Sequence, residues 1–221
     1  GTSAPGETDA EWFETLDRFD ISYATRVAYD YAPVQYPDGA GDTTMLYVDH
    51  PYATLHRTRM ADGSWFSVGD AERLAPAVVV NKAFWERIGS PDLSTHPTVT
   101  SSRFGGIPLV VIGVYASPSW DTEPGLMMLA ASAASILPPG TFDELVPAYE
   151  MWVPPASGEE LMGLVTSDLT ARLGEGATVD INRSDFGAFM DDPTAVLRMM
   201  AIGIGSVILL LGALGLLNIA L

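Results

Sequence analysis

Short apolar and polar runs alternate along this chain as far as residue 198, and there the polarity stops. From Met199 to Leu221 no residue is charged, and Ser206 and Asn218 are the only clearly polar side chains. A helix rises about 1.5 Å per residue, so about 20 apolar residues cross a hydrocarbon core. A buried helix of a soluble protein would show a polar face, and this stretch has none. The pattern predicts a transmembrane helix over residues 198–221, and its C-terminal position excludes a secretory signal. At 100° per residue, Ala201, Gly205, Gly212 and Gly215 fall within an arc of about 80°. Small residues on one face let another membrane helix approach closely. Asn218 lies beside that arc, where its amide can find a protein partner instead of lipid.

Ahead of that helix the periodicities change often. Thr8 to Phe19 carries Trp12, Leu16 and Phe19 on one helical stripe, with Thr8 and Glu11 spaced as a capping box. Ile21 to Tyr36 is rich in Tyr, Val and Thr and reads as strand. Pro37 to Asp42 is a turn, and Thr43 to Val48 returns as the second strand of a hairpin. Asp49 to Arg59 reads as one or two helical turns, and Ala61 to Phe66 as a tight turn. Ala77 to Val80 is a short buried strand, followed by a helix that Asn81 caps and Gly89 ends. Thr98 to Ser102 and Ile107 to Tyr115 are strands, and Leu126 to Leu129 is another. Residues 136–147 are loop-rich. Ala148 to Val153 is a strand, and Ser157 with Glu160 opens a helix that runs to about Leu173, where glycines end it. Thr178 to Asn182 reads as strand, and a polar helix from Ser184 leads into the apolar segment.

These elements predict an α+β fold. Strand, helix and strand from Ala148 to Asn182 form half of a split βαβ, porter-like subdomain, with the other half supplied by the N-terminal segment. Residues of about 49–119 then form an inserted, mainly β subdomain, and the C-terminal transmembrane helix follows. The expected organisation is a domain over 1–197 and a membrane helix over 198–221. The chain lacks an initiator Met and ends inside hydrophobic sequence, so the natural protein is expected to continue beyond both ends.

Charge narrows the partners. A formal net charge of −17 over 221 residues argues against nucleic acid, which needs a basic surface, and against docking on anionic headgroups. Cysteine is absent, which removes disulfides, thiolate metal sites and thiol nucleophiles. His50, His56 and His96 are the only histidines. His50 and His56 stand about 240° apart around a helix and share no face, so no metal site is expected. The pairs Asp121 and Glu123, Asp143 and Glu144, and Asp191 and Asp192 read as solvated surface. No nucleophile elbow and no phosphate loop is present. The expectation is a non-catalytic chain without cofactor. Trp120, Met127 and Met128 are the candidate partner or ligand surface, since Met-rich faces adapt to varied partners, although buried core is the favoured reading of the Met pair.

Three stretches carry a resemblance. They are V-D-H-P-Y-A-T-L-H-R-T-R-M-A-D-G-S-W-F, then A-V-V-V-N-K-A-F-W-E-R-I-G, then I-P-L-V-V-I-G-V-Y. Their order resembles the extracytoplasmic core domain of MacB-like ABC transporter permeases, with Ser64 where that family usually has Arg. The membrane segment L-L-L-G-A-L-G-L-L-N is similar to the second helix of FtsX/MacB-type permeases, with Gly212, Gly215 and Asn218 on the matching positions and Ala213 in place of a glycine. The resemblance covers about residues 42–221. It implies an extracytoplasmic domain between two membrane helices, a cytoplasmic ATPase partner on a separate chain, a second permease copy, an extracytoplasmic partner protein and a surrounding lipid bilayer. Substrate would then move at the outer face, as in export or in lipoprotein or peptide handling. The competing reading is a single-helix, membrane-anchored binding or sensor domain.

Overall fold

The computed structural model describes residues 5–138, 141–145, 147–154, 157–174, 179 and 181. The predicted strand at Thr178–Asn182, the polar helix from Ser184 and the membrane helix over 198–221 lie outside the described residues. Among those that are described, no helix is long and apolar enough to cross a membrane.

The chain opens with helix α1, Pro5–Arg18, and then forms the hairpin of β1, Ala24–Tyr36, and β2, Gly39–Val48. Pro37 and Asp38 make the turn, and Gly39 takes φ +122°, a value that side chains with a Cβ rarely adopt. A short helix α2, Tyr52–Leu55, and strand β3, Met60–Gly63, lead to β4, Ala77–Asn81, and helix α3, Lys82–Arg87. Strands β5, Thr98–Ser101, β6, Leu109–Tyr115, and β7, Gly125–Leu129, follow. Helices α4, Ala130–Ile136, and α5, Thr141–Glu144, precede β8, Ala148–Met151, and α6, Gly158–Leu173.

All eight strands belong to one sheet, in the order β2-β7-β4-β6-β5-β1-β8, with β3 on β6. Because β1 also pairs with β2 over its whole outer half, the first six strands close into a ring. Two of its pairings are parallel, β2 with β7 and β4 with β6. Alternation along each strand sends one set of side chains inward. Ala28 and Val34, Met45 and Tyr47, Val78 and Val80, Val99, Leu109, and Leu126 and Met128 fill the interior from all six strands. The opposite parity buries Val27, Leu46, Val48, Val79 and Leu129 outside the ring, beneath Tyr52, Met60, Trp65 and Phe66 of the connection between β2 and β4. Each side chain so buried contributes about 1.5–3 kcal/mol.

Four expectations change. Helix α1 starts at Pro5, so Thr8 lies inside it and caps nothing; proline fits a first turn because its missing N–H is unneeded there. Ser157 stands at the N-cap of α6 without a side-chain capping bond. The capping-box arrangement occurs instead at Ser67, where the Asp70 carboxylate accepts from the Ser67 backbone N–H at 2.6 Å and from its hydroxyl at 2.7 Å. Ala61, Asp62 and Gly63, the start of the stretch read as a turn, belong to the strand Met60–Gly63, because β6 offers a partner edge. Met127 and Met128 are core residues and present no surface. The caps at Asn81 and the helix stop at Gly174 stand as expected, with Gly174 at φ +82°.

Candidate functional site

Two polar joints connect the elements nearest the two ends of the described chain. The first lies between α1 and α6. Each helix buries an apolar pair, Trp12 and Leu16 on α1, Val165 and Leu169 on α6. Charged residues flank these pairs. Asp168 accepts from the Thr15 hydroxyl at 2.9 Å, from Arg18 at 2.5 Å and from the Arg172 Nε at 2.8 Å. Arg172 also donates to Glu11 at 3.1 Å and to Glu14. Burial pushes the Asp168 carboxyl up, but the bonds from Thr15 and Arg172 and the two guanidinium charges outweigh it and hold the group below its ordinary range.

The second joint centres on Arg26 of β1. Its guanidinium donates to both oxygens of Asp49, at 3.1 and 2.7 Å, and its backbone N–H donates to the same carboxylate at 2.7 Å. A further N–H reaches Asp9 of α1 at 2.5 Å, and Tyr149 of β8 donates its hydroxyl to the other oxygen of Asp9 at 2.5 Å. The Phe13 ring lies 4.8 Å from the guanidinium. Burial opposes the charge on Arg26; the bond and charge of Asp49, and then Asp9, more than restore it, so its pKa is raised. One side chain thus ties α1 to β1 and to the start of the connection after β2, while Tyr149 adds β8.

The remaining sequence candidates are scattered. Trp120 is 80% exposed, while Met127 and Met128, at 8% and 0%, point into the two sides of the sheet. Ala201, Gly205, Gly212, Gly215 and Asn218 lie outside the described residues. His56 bonds Glu150 at 2.6 Å and stacks on Tyr52, and the His50 carbonyl accepts from the Trp65 indole at 3.1 Å. Among the described residues, no group of three or more His, Asp or Glu side chains could hold a metal ion. An open groove of about 480 Å³ beside the end of β1 and β5 is lined by residues such as Tyr36, Pro37, Ile88 and Pro97, and none of its lining residues is charged.

The sequence profile of the MacB-like periplasmic core domain family matches residues 1–183. The chain belongs to this family. No curated protein sequence matches it. Solved structures agree on the MacB-like fold at low identity. The extracellular domain of YknZ, a noncanonic ABC-type transporter from Gram-positive bacteria, is 13% identical, with a TM-score of 0.57 over 73% of this chain and 81% of that one. The periplasmic region of MacB from Actinobacillus actinomycetemcomitans is 13% identical, with a TM-score of 0.53 over 71% and 73%. A domain of a putative permease protein from Porphyromonas gingivalis gives 13% and 0.51, over 73% and 69%.

The stretches that resemble MacB-like proteins turn out to be joints of the sheet. Gly63 and Gly113 are register partners where β3 crosses β6. A Cβ on Gly113 would stand 2.4 Å from the Ser64 carbonyl oxygen, and one on Gly63 would stand 2.3 Å from that of Ile112. Asn81 ends β4, and its side-chain oxygen accepts from the N–H of Phe84 at 2.9 Å and of Gly125 at 3.0 Å. Its amide donates to the Glu123 carbonyl at 2.7 Å. One buried side chain therefore starts α3 and fixes the entry to β7. The Arg26 and Asp168 joints were missed in the sequence, and only their residue types, isolated arginines in an acidic chain, signalled them.

Proposed function

We propose that this MacB-like domain, residues 1–197, is the extracytoplasmic part of an ABC transporter permease subunit whose membrane helix spans 198–221. In this reading a separate cytoplasmic ATPase drives the membrane helices, and the domain carries that motion to substrate at the outer face as a non-catalytic lever. The permease works with a second copy of itself or of a related chain. The observation that carries the reading is the polar tie between α1 and α6, elements at opposite ends of the described sequence. A load entering at either end of the domain is shared by both helices through Asp168 and Arg172, and reaches the sheet through Asp9 and Arg26. Family membership and the fold shared with the YknZ and MacB domains support the same reading. The stretch 49–119 fits an insertion, since it lies between β2 and β7, which are adjacent parallel strands.

The test uses the full-length protein in its own membrane. An ATPase should co-isolate with it, and a cysteine at Asp38 should react with an impermeant maleimide in intact cells. Gly212→Leu, on the small face, should stop cargo movement or the resistance it confers while the ATPase still turns over. Leu210→Phe, about 160° away around the helix, should be tolerated. A protected Asp38 thiol, or Gly212→Leu transport equal to wild type, overturns the proposal.

A further inference from the structure

Among the described residues, the outer face of the β1–β2 hairpin is a part of the ring wall that leaves large aromatic side chains uncovered. Tyr29 and Tyr31 are 66% and 62% exposed, and they stand two residues apart on the same face of β1. Their register partners on β2 are Leu46 and Thr44. By the same alternation Pro33 of β1 and Asp42 of β2 complete the face, so Asp42 bounds it at one end and Glu150, opposite Thr25, at the other. At its lower end the face runs into the covered part of the wall, where Tyr52 stacks on His56 at 4.1 Å and on Trp65 at 6.1 Å. That Glu150 at this end is already bonded to His56 leaves the ledge short of free charge.

We infer that this tyrosine ledge is where a second copy of the chain docks, the Tyr29 and Tyr31 pair of one copy stacking on that of the other about a twofold axis. Charge decides the occupant. Each copy carries a net −17, so contact through most of the surface sets like charges against each other, and a ledge whose centre, Tyr29 and Tyr31 with Thr44 and Leu46, is uncharged is where two copies can meet at least cost. A cationic partner would be drawn to the acidic surface generally, and nothing directs it to an uncharged strip. Two tyrosines in a row are also self-complementary, as an isologous contact demands: the rings pair offset or edge-on, and the hydroxyls stay wet. The ledge is smaller than the roughly 1,000 Å² that a free complex needs. It suffices when membrane helices already hold the copies at effective concentrations of about millimolar. The inference rests on the permease reading for that tether.

The chain has no cysteine, so single thiols report directly. Tyr31→Cys and Tyr29→Cys are made separately in the full-length protein and oxidised in native membranes with copper phenanthroline. Most of the protein should run as a disulfide-linked homodimer in both variants. Leu74→Cys, at a fully exposed position outside the β1–β2 hairpin, should give at least fivefold less. A dimer band at Tyr29 and Tyr31 no stronger than at Leu74, or cross-linking to a different protein, overturns the inference. Co-isolation of an ATPase is scored in parallel. If the ATPase is present and the cross-link absent, only the ledge is wrong. A cross-link without an ATPase keeps the ledge and removes the permease reading.

Discussion

The strand ring and the helix pair α1–α6 are built from opposite materials. Inside the ring the contacts are apolar and close: Val34, Val78 and Val80 are fully buried, and two glycines let β3 and β6 touch backbone to backbone. Between the helices the buried apolar residues are few, and geometry is set by charged partners, with Asp168 serving three donors. Apolar packing resists change in every direction, because any displacement opens a void. Ion pairs fix particular partners and can be exchanged for water at small net cost. The two materials meet at Arg26, a β1 side chain of the ring whose guanidinium bonds Asp9 of α1.

Substitutions should separate the two regions by the size of their effects. The largest belongs to the meeting point. Arg26→Met leaves Asp9 and Asp49 facing each other without their cation, and should cost about 4 kcal/mol in urea unfolding. An Asp9→Asn/Asp49→Asn background should recover part of that loss; if it does not, the charges are not the reason. Within the ring, Gly113→Val forces a side chain against the Ser64 carbonyl and should cost about 3 kcal/mol. Gly39→Ala, where a Cβ meets nothing within 4 Å, should cost less, by the strain of its positive φ alone. Asn81→Ala should cost about 2 kcal/mol, the loss of a cap together with an unsatisfied Gly125 N–H. Near-neutral stability in that variant would show that water replaces the amide.

The helix pair should answer to pH instead of volume. The Asp168 carboxyl is depressed in the fold, so its contribution is complete above the ordinary carboxylate value of about 3.9. It is lost as pH falls through the lowered folded value. Amide protection in α6, relative to intrinsic exchange at each pH, should therefore fall on acidification before protection in β4 does, and Asp168→Asn should remove that difference. Simultaneous exchange in both elements would mean the helix pair is no looser than the ring.

Much of the ring was legible in the sequence because its signals are local. The turn at Pro37 and Asp38, the buried run at Val78 to Val80 and the Asn81 cap each lie within a few residues of what they determine. The expectations that failed depend on distant partners. Asp62 and Gly63 are turn residues by type, and become strand only because β6 lies beside them. Nothing in Leu126–Leu129 says that both neighbours bury it; core is the favoured reading of Met127 and Met128, and pairing with β2 and β4 makes it so. The parallel pairing of β2 with β7 spans the stretch 49–124 between them and leaves no trace in either strand. The Asp168 bonds to Thr15 and Arg18 join residues 153 and 150 positions apart, beyond the reach of any periodicity.

Those separations also set a clock. A chain emerging N-terminus first makes α1 at once, yet most of its polar partners, Tyr149, Asp168 and Arg172, belong to the last described elements, β8 and α6. The hairpin of β1 and β2 is local and can form early, whereas closing a loop of this length is slow. The first helix therefore gains its cover in steps, Trp12 from Tyr149 of β8 and then the rest from α6. A truncation before residue 158 should leave α1 short of its α6 partners, a lasting handle for chaperones and proteases.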